Sequence, residues 1–337
     1  MAASGVSSVD ELREDIGLRR IPVVFICDRR YVIPTSVAVS SLICNKKPDT
    51  HYVVYIVTTG LPEEDINPFY EFKTRDTDIH ILTASIEEFK DLQDHPHVTT
   101  ASYLKFDLAE LISGEEKALY MDGDVIIQKD LSDLFEINIE KYYAAAVKDL
   151  PLKDNSLNIK DYFNTGVMLL NLRRMREGNI SAALLNTGRS GYKLTYQDQD
   201  CFNICFEKNV KLLPVIYNNF YGLFMQQQKK YSMDCINKYF GTQYASYEDM
   251  KEKSYILHLV GYDKPWLYSY NLLTREWDDY FKKSPFQFRR LKRKSIKLKG
   301  YALAALSYLF YKYWHNHGFE FFLQKLRKRI WGRTAPQ

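Results

Sequence analysis

The chain has 337 residues, 46% of them apolar and 26% charged, close to an average globular protein and long enough to bury a sizeable core. These figures exclude a collagen-like, coiled-coil or wholly disordered chain. The net charge of +4 is uneven: residues 282–337 carry 15 Lys and Arg against one acid, Glu320, and the remainder sums to −10. A protein that binds polyanions over its whole surface is therefore excluded, and a basic patch at one end is expected.

The elements alternate. Ile21–Cys27 is a continuous apolar, β-rich run, as in a buried parallel strand. Pro34 opens a helical pattern over Thr35–Cys44. Tyr52–Val57 predicts a second strand, Leu61–Lys73 a helix, and Asp78–Leu82 a third strand. Thr99–Ser113 reads as helical, with Leu104, Leu108, Leu111 and Ile112 on one side. Lys117–Met121 is a short strand, and Val125–Ile127 resumes an extended pattern after Asp122-Gly123-Asp124. Tyr142–Val147 and Val167–Leu172 predict strands, Arg173–Asn186 and Gln199–Lys208 helices, and Ser254–Leu257 a last strand. Strand–helix alternation predicts an α/β domain with a parallel sheet. The strongest compositional break lies near Phe281–Phe288.

The five cysteines include no CxxC pair and have no histidine at zinc spacing, which predicts reduced, mostly buried thiols and a cytosolic compartment. No apolar run near the N-terminus suggests a secretory signal, and none reaches the roughly 18 residues of a membrane span.

Asp122-Gly123-Asp124 follows an apolar strand directly, where open α/β sheets place their ligands. Two carboxylates one residue apart repel unless a cation lies between them, and carboxylate oxygens suit Mg²⁺ or Mn²⁺. Alone, the triplet reads as a polar turn. His258-Leu-Val-Gly261-Tyr-Asp-Lys264 follows the last strand. An imidazole nitrogen beside two carboxylates favours Mn²⁺, Gly261 permits close backbone approach to a phosphate, and Lys264 supplies a point charge. Alone, His258 reads as a core histidine. Phe163-Asn164-Thr165-Gly166 precedes a strand, and Gln197–Asp200 opens a helix, where Asp198 could simply be an N-cap.

In this order and at these spacings the chain resembles family 8 of the retaining glycosyltransferases, which includes the LgtC-like galactosyltransferases and lipopolysaccharide core glucosyl- and galactosyltransferases, with glycogenin a distant relative. The resemblance runs from about Ile21 to about Trp277. It is carried by Val24–Asp28, His51–Thr58, Leu119–Val125, Phe163–Leu172, Tyr196–Asp200 and His258–Trp266. It implies a GT-A fold, a UDP-hexose donor and a divalent cation, usually Mn²⁺. By position it implies Asp122, Asp124 and His258 as metal ligands, with Asp28 and Tyr31 at the uridine. Gly261 and Lys264 fall at the diphosphate, and Asn164, Asp198 and Gln199 near the anomeric carbon. Asp149 falls at a donor hydroxyl. Lys105 stands where family members often carry Arg, keeping the charge but losing the planar fork, and Arg30 stands where the LgtC-like pattern has Asn.

The expected organisation is an N-terminal extension (1–20), a catalytic domain (21–281) with a nucleotide-sugar half (21–130) and an acceptor half (131–281), and a basic, aromatic-rich helical tail (282–337). Clusters at Arg289–Lys294 and Lys325–Arg329, with aromatic residues between, suit an anionic membrane surface. Nothing else in the chain supports nucleic-acid binding. The expected activity is transfer of glucose or galactose to a bacterial surface glycan or glycolipid, lipopolysaccharide core or capsule, at the inner face of the cell membrane. The alternatives are a protein- or self-glycosylating transferase and an inactive nucleotide-sugar-binding scaffold. On the mechanism, a neutral Gln199 amide is a poor nucleophile, which favours same-face attack with retention.

Overall fold

The computed structural model describes residues 17–92, 100–150, 157, 159–192 and 194–295. The described strands are β1 (Arg19–Cys27), β2 (Thr50–Thr58), β3 (Thr77–Thr83), β4 (Lys117–Met121), β5 (Val125–Ile127), β6 (Ala144–Lys148), β7 (Phe163–Asn171), β8 (Val210–Leu213) and β9 (Ile256–His258). Seven form one sheet in the order β3-β2-β1-β4-β7-β6-β8, and β5 pairs with β9 in a separate ribbon. The sheet is parallel apart from β7, which is antiparallel to both its neighbours. This is the expected mixed α/β, mostly parallel architecture.

The apolar runs explain it. Val23, Val24 and Phe25 point to alternate faces, yet all are buried, so both faces of the sheet are covered. One large core cluster centres on rings from the segments 87–111 and 197–206. The Phe106 ring stands edge-on to Tyr103 at 5.3 Å, to Phe202 at 5.7 Å and to Phe89 at 6.1 Å. Truncating such a ring to alanine costs about 3–5 kcal/mol.

Three predicted helices differ in detail. Leu61–Lys73 is a short α-helix, Glu63–Ile66, continued as a 3-10 turn over Asn67–Phe72, because Pro68 cannot donate to the α ladder. Thr99–Ser113 is 3-10 over Thr100–Asp107 and α only over Leu108–Leu111. Arg173–Asn186 divides into Leu172–Glu177 and Ile180–Arg189, because Gly178 closes the first and Asn179 takes a left-handed φ of 49°. Sequence patterning missed β8, which pairs parallel to β6 at the end of the sheet order, and helices over Tyr221–Gln226, Met233–Phe240, Tyr247–Lys253 and Thr274–Phe281.

The described residues fall into two compact units. The first runs to Lys264 and resumes at Arg275–Arg290; the second holds Pro265–Thr274 and resumes at Leu291. In the first, Phe286 is buried 5.2 Å from the Phe69 ring, and Arg289 pairs with Asp65, so residues just past 281 join its packing. In the second, Tyr268 bridges Lys294, whose backbone N–H donates to Leu267 O at 2.7 Å. No helix of the described residues is long and apolar enough to cross a membrane. The five cysteines form no disulfide. The extension up to residue 16 and the tail from residue 296, including its second basic cluster, lie outside the described residues.

Strand direction positions the site. β1, β4 and β6 end at Cys27, Met121 and Lys148, which delivers Asp28, Asp122 and Asp149 to one edge of the sheet. The reversed β7 begins at that edge, with Met121 opposite Val167 and the Asp122 N–H donating to Gly166 O at 2.8 Å. The β5–β9 ribbon sets Val125 opposite His258.

Candidate active site

A cavity of about 510 Å³ opens at this edge, lined by Asp28, Tyr31, Lys105, Asp122, Asp124, Asn164, Asp198 and Gln199 among others. Eight of the residues expected from sequence thus share one cavity. His258, Lys264 and Asp149 reach it through residues that line it. Gly261 has a left-handed φ of +93° that suits glycine, with nothing within 4 Å of the place a Cβ would take, beside the lining residue Tyr262.

Asp122, Asp124 and His258 offer three ligand atoms within 4.8 Å of one another. His258 Nε2 lies 3.3 Å from Asp124 Oδ1 and 3.9 Å from Asp122 Oδ2. The donor set, two carboxylates and one imidazole, fits Mn²⁺ or Mg²⁺. The cradle fits as well. A Cβ on Gly166 would overlap His258 Cε1 and come within 2.8 Å of Asp122 Oδ2, so this strand position leaves its space to the cluster. Gly123, between the two aspartates, has no room for a side chain either, because Thr35 Oγ1 and Tyr31 Cδ1 crowd it.

Two lysines, Lys105 buried and Lys264 half-buried, balance the acids. Lys105 Nζ donates to Asp198 Oδ2 at 2.8 Å and lies 3.2 Å from Asp122 Oδ1, over the Tyr120 ring. Burial alone would lower its pKa, but Asp122 and Asp198 outweigh burial and raise it, so Lys105 stays charged. Lys264 Nζ donates to Asp124 Oδ2 at 2.6 Å. Burial favours the neutral form of Asp124, yet Lys264 and His258 hold its carboxyl well below the usual range. Asp198 and Asp149 shift upward, both chiefly through burial. Asp198 therefore faces Lys105 and is no N-cap: the capping position is Tyr196, with no side-chain cap.

A chain of amides runs from the cluster to Asp149. His258 Nδ1 meets Asn218 Oδ1 at 2.9 Å, and Asn218 Nδ2 donates to Asn164 Oδ1 at 2.8 Å. Asn164 Nδ2 donates to Gln199 Oε1 at 3.0 Å, and Gln199 Nε2 donates to Asp149 Oδ2 at 2.7 Å. Asn218 is fully buried. Sequence reasoning missed it because it stands outside every motif. Tyr120, whose hydroxyl donates to Asp122 Oδ1 at 2.5 Å, was missed because it reads as a core strand residue. Asp200, missed within its own motif, accepts from the N–H groups of Thr195 and Tyr196 and from Tyr162 Oη. That grip holds the turn in which Gln197, buried, takes a left-handed φ of 41°. At the uridine end expected from sequence, Asp28 Oδ1 accepts from the backbone of Arg30 at 2.8 Å and Tyr31 at 3.0 Å.

The chain is similar to the glycosyltransferase GlyF of Streptococcus pneumoniae serotype 4, at 27% identity over 77% of this chain and 60% of the relative, so the match spans less than two thirds of that protein's length. It is 24% identical to an Escherichia coli lipopolysaccharide 1,2-glucosyltransferase over 71% of each. In fold it resembles galactosyltransferase LgtC in complex with donor and acceptor sugar analogs, with a TM-score of 0.65 and 22% identity over 78% of this chain and 96% of LgtC. The model of "Glycosyl transferase family 8" matches residues 22–269, well over half of the sequence, and the chain belongs to that family.

Proposed function

We propose that this chain is a retaining hexosyltransferase that moves glucose or galactose from a UDP-sugar to a bacterial surface glycan, such as lipopolysaccharide core or capsule. The observation that carries the reading is that the Asp122–Asp124–His258 cluster and the Asn164–Gln199–Asp149 network meet at one cavity, lined by Asp122, Asp124, Asn164 and Gln199. Relatives named for glucosyl transfer to lipopolysaccharide and for galactosyl transfer support the donor and acceptor classes.

A divalent cation, Mn²⁺ or Mg²⁺, held by Asp122, Asp124 and His258 would supply Lewis-acid stabilisation of the diphosphate charge. Lys264 and Lys105 add fixed positive charge beside it, so the leaving group needs no protonation by an acid. Asp28 and Tyr31 hold the uridine end, Gly261 gives backbone access to the diphosphate, and Asn164, Asp198 and Asp149 orient the hexose. Gln199 Oε1 already accepts from Asn164 Nδ2 and from the Thr165 N–H at 3.2 Å, which engages both its lone-pair directions. That supports an electrostatic role beside a developing oxocarbenium ion and same-face attack by the acceptor. The basic segment 282–337 would hold the enzyme on an anionic inner membrane face, near a lipid-linked acceptor.

The test is UDP release by the full chain with Mn²⁺ and each UDP-hexose in turn. Release that stops with a chelator and with Asp124→Asn is expected. No release from any UDP-hexose, with or without glycan acceptors, would overturn the reading and favour an inactive nucleotide-sugar binder.

A further inference from the structure

The orientation of every amide between the cation cluster and the hexose site is dictated by the backbone. The Thr165 N–H can only donate, and it points at Gln199, so the Gln199 oxygen faces it at 3.2 Å. The Gly166 N–H can only donate, and it points at Asn164, so the Asn164 oxygen faces it at 3.0 Å. Asn218 approaches that same oxygen at 2.8 Å and must present its NH₂ group, because its own oxygen there would set two acceptors against each other. The Asn218 oxygen is then turned to His258 Nδ1 at 2.9 Å. An acceptor at that place requires the proton on Nδ1. Nε2, 3.3 Å from Asp124 Oδ1, is then the nitrogen turned to the cluster and the one a cation would take in place of a proton.

We infer that Asn218 is a positioning residue that fixes the Nδ1–H tautomer of His258 and, through its other end, the orientation of Asn164 and Gln199. The same buried amide thereby couples the cation cluster to the hexose site: one end prepares the nitrogen ligand and the other anchors Asn164. Asn218 is fully buried and lines no part of the cavity, so it acts through His258 and Asn164. Its two bonds are of opposite polarity, so they can be broken separately. Asn218→Asp at pH 8 keeps an acceptor for His258 and loses the donor to Asn164. Asn218→Leu loses both. The inference rests on reading the cluster as a cation site, and the measurements below keep the two separable.

The first measurement needs no metal and no turnover. Long-range ¹H–¹⁵N correlation of the ¹⁵N-histidine-labelled full chain, with His258 assigned by the spectrum of His258→Gln, should show Nδ1–H for His258 in the wild type and in Asn218→Asp. An Nε2–H tautomer in the wild type would overturn the inference. The second is Mn²⁺ titration followed by electron paramagnetic resonance. Asn218→Asp should bind Mn²⁺ within about 3-fold of wild type while kcat falls about 10-fold or more, whereas Asn218→Leu should lose about 10- to 100-fold in Mn²⁺ affinity, as outer-shell partners of metal ligands generally do. Unchanged Mn²⁺ affinity in Asn218→Leu, or equal kcat in Asn218→Asp and wild type, would overturn it. If Asn218→Leu fails to fold, Asn218→Asp and the tautomer decide. A wild-type chain that shows Nδ1–H but no Mn²⁺ binding would sink the cation reading and leave the amide polarity standing.

Discussion

Gly166→Ala is the sharpest single perturbation of the site. Gly166 sits in β7 beneath the carboxylate–imidazole cluster, and the added methyl carbon would overlap His258 Cε1 and lie 2.8 Å from Asp122 Oδ2 and 3.0 Å from His258 Nδ1. Neither neighbour is a flexible chain end: the imidazole is buried and held by Asn218, and Asp122 follows β4 directly. Overpacking of this kind costs about 1–3 kcal/mol, against about 0.5–1 kcal/mol gained by restricting the unfolded chain, for a net loss of about 1–2 kcal/mol. At about 2–4 °C per kcal/mol for a large domain, Tm should fall by about 2–8 °C. The cluster should suffer more than the fold, because any relief moves a ligand atom, and Mn²⁺ affinity should drop about 10-fold or more. Differential scanning calorimetry and Mn²⁺ titration read the two effects. Gly222→Ala is the control of opposite sign: Gly222 lies in the helix Tyr221–Gln226 with nothing within 4 Å of the new methyl, so it should stabilise by up to about 1 kcal/mol. A Gly166→Ala protein with wild-type Tm and wild-type Mn²⁺ affinity would refute the steric reasoning.

Lys105→Met removes the charge shared by Asp122 and Asp198; at about 1.5–3 kcal/mol for a hydrogen bond to a charged group, kcat/KM should fall about 10- to 150-fold, with Lys105→Arg restoring most of it, and wild-type kinetics in the Met variant would refute its role. Gln199→Ala should lower kcat while the product anomer, read by NMR, stays retained; an inverted product, or a sugar trapped covalently on Asp198, would contradict same-face attack. Asp107, pushed up to about 6 by burial and by Glu88 and Glu110, has a folded pKa above its unfolded one, so the wild type loses stability as pH rises from about 4 to about 6. Asp107→Asn should therefore raise Tm more at pH 7.5 than at pH 4, and an equal change at both would count against it. Replacing Lys297, Lys299, Lys325, Arg327, Lys328 and Arg329 by Gln should abolish flotation with anionic vesicles and leave soluble-acceptor turnover intact; undiminished flotation would remove the tail's proposed role.

The sequence is legible where chemistry and local pattern coincide. Asp28, Asp122 and Asp149 each follow a strand directly, so knowing the strands nearly places the acids at one edge. The reversal of β7 is different, because its apolar run Val167–Leu170 reads alike in either direction, yet that reversal brings Asn164 and Gly166 to the cluster. Asn218 is less legible still. Its position depends on the neighbouring residue, whose N–H donates to Ile256 O and whose carbonyl accepts from the His258 N–H, a pairing about 40 residues apart that no local periodicity encodes. The helix breaks at Pro68 and Gly178-Asn179 carried signals in the sequence, but the apolar spacing across them looked continuous.

The left-handed turn at Gln197 has a consequence for laboratory evolution. A non-glycine residue held at a φ of 41° carries local strain of about 1–2 kcal/mol, sustained by the Asp200 carboxylate that grips the two N–H groups before it. A library selected only for heat resistance should enrich Gln197→Gly, which releases that strain in the turn that aims Asp198 and Gln199. The same clones should be slower enzymes, so selection for heat resistance and selection for turnover would drive position 197 toward different residues.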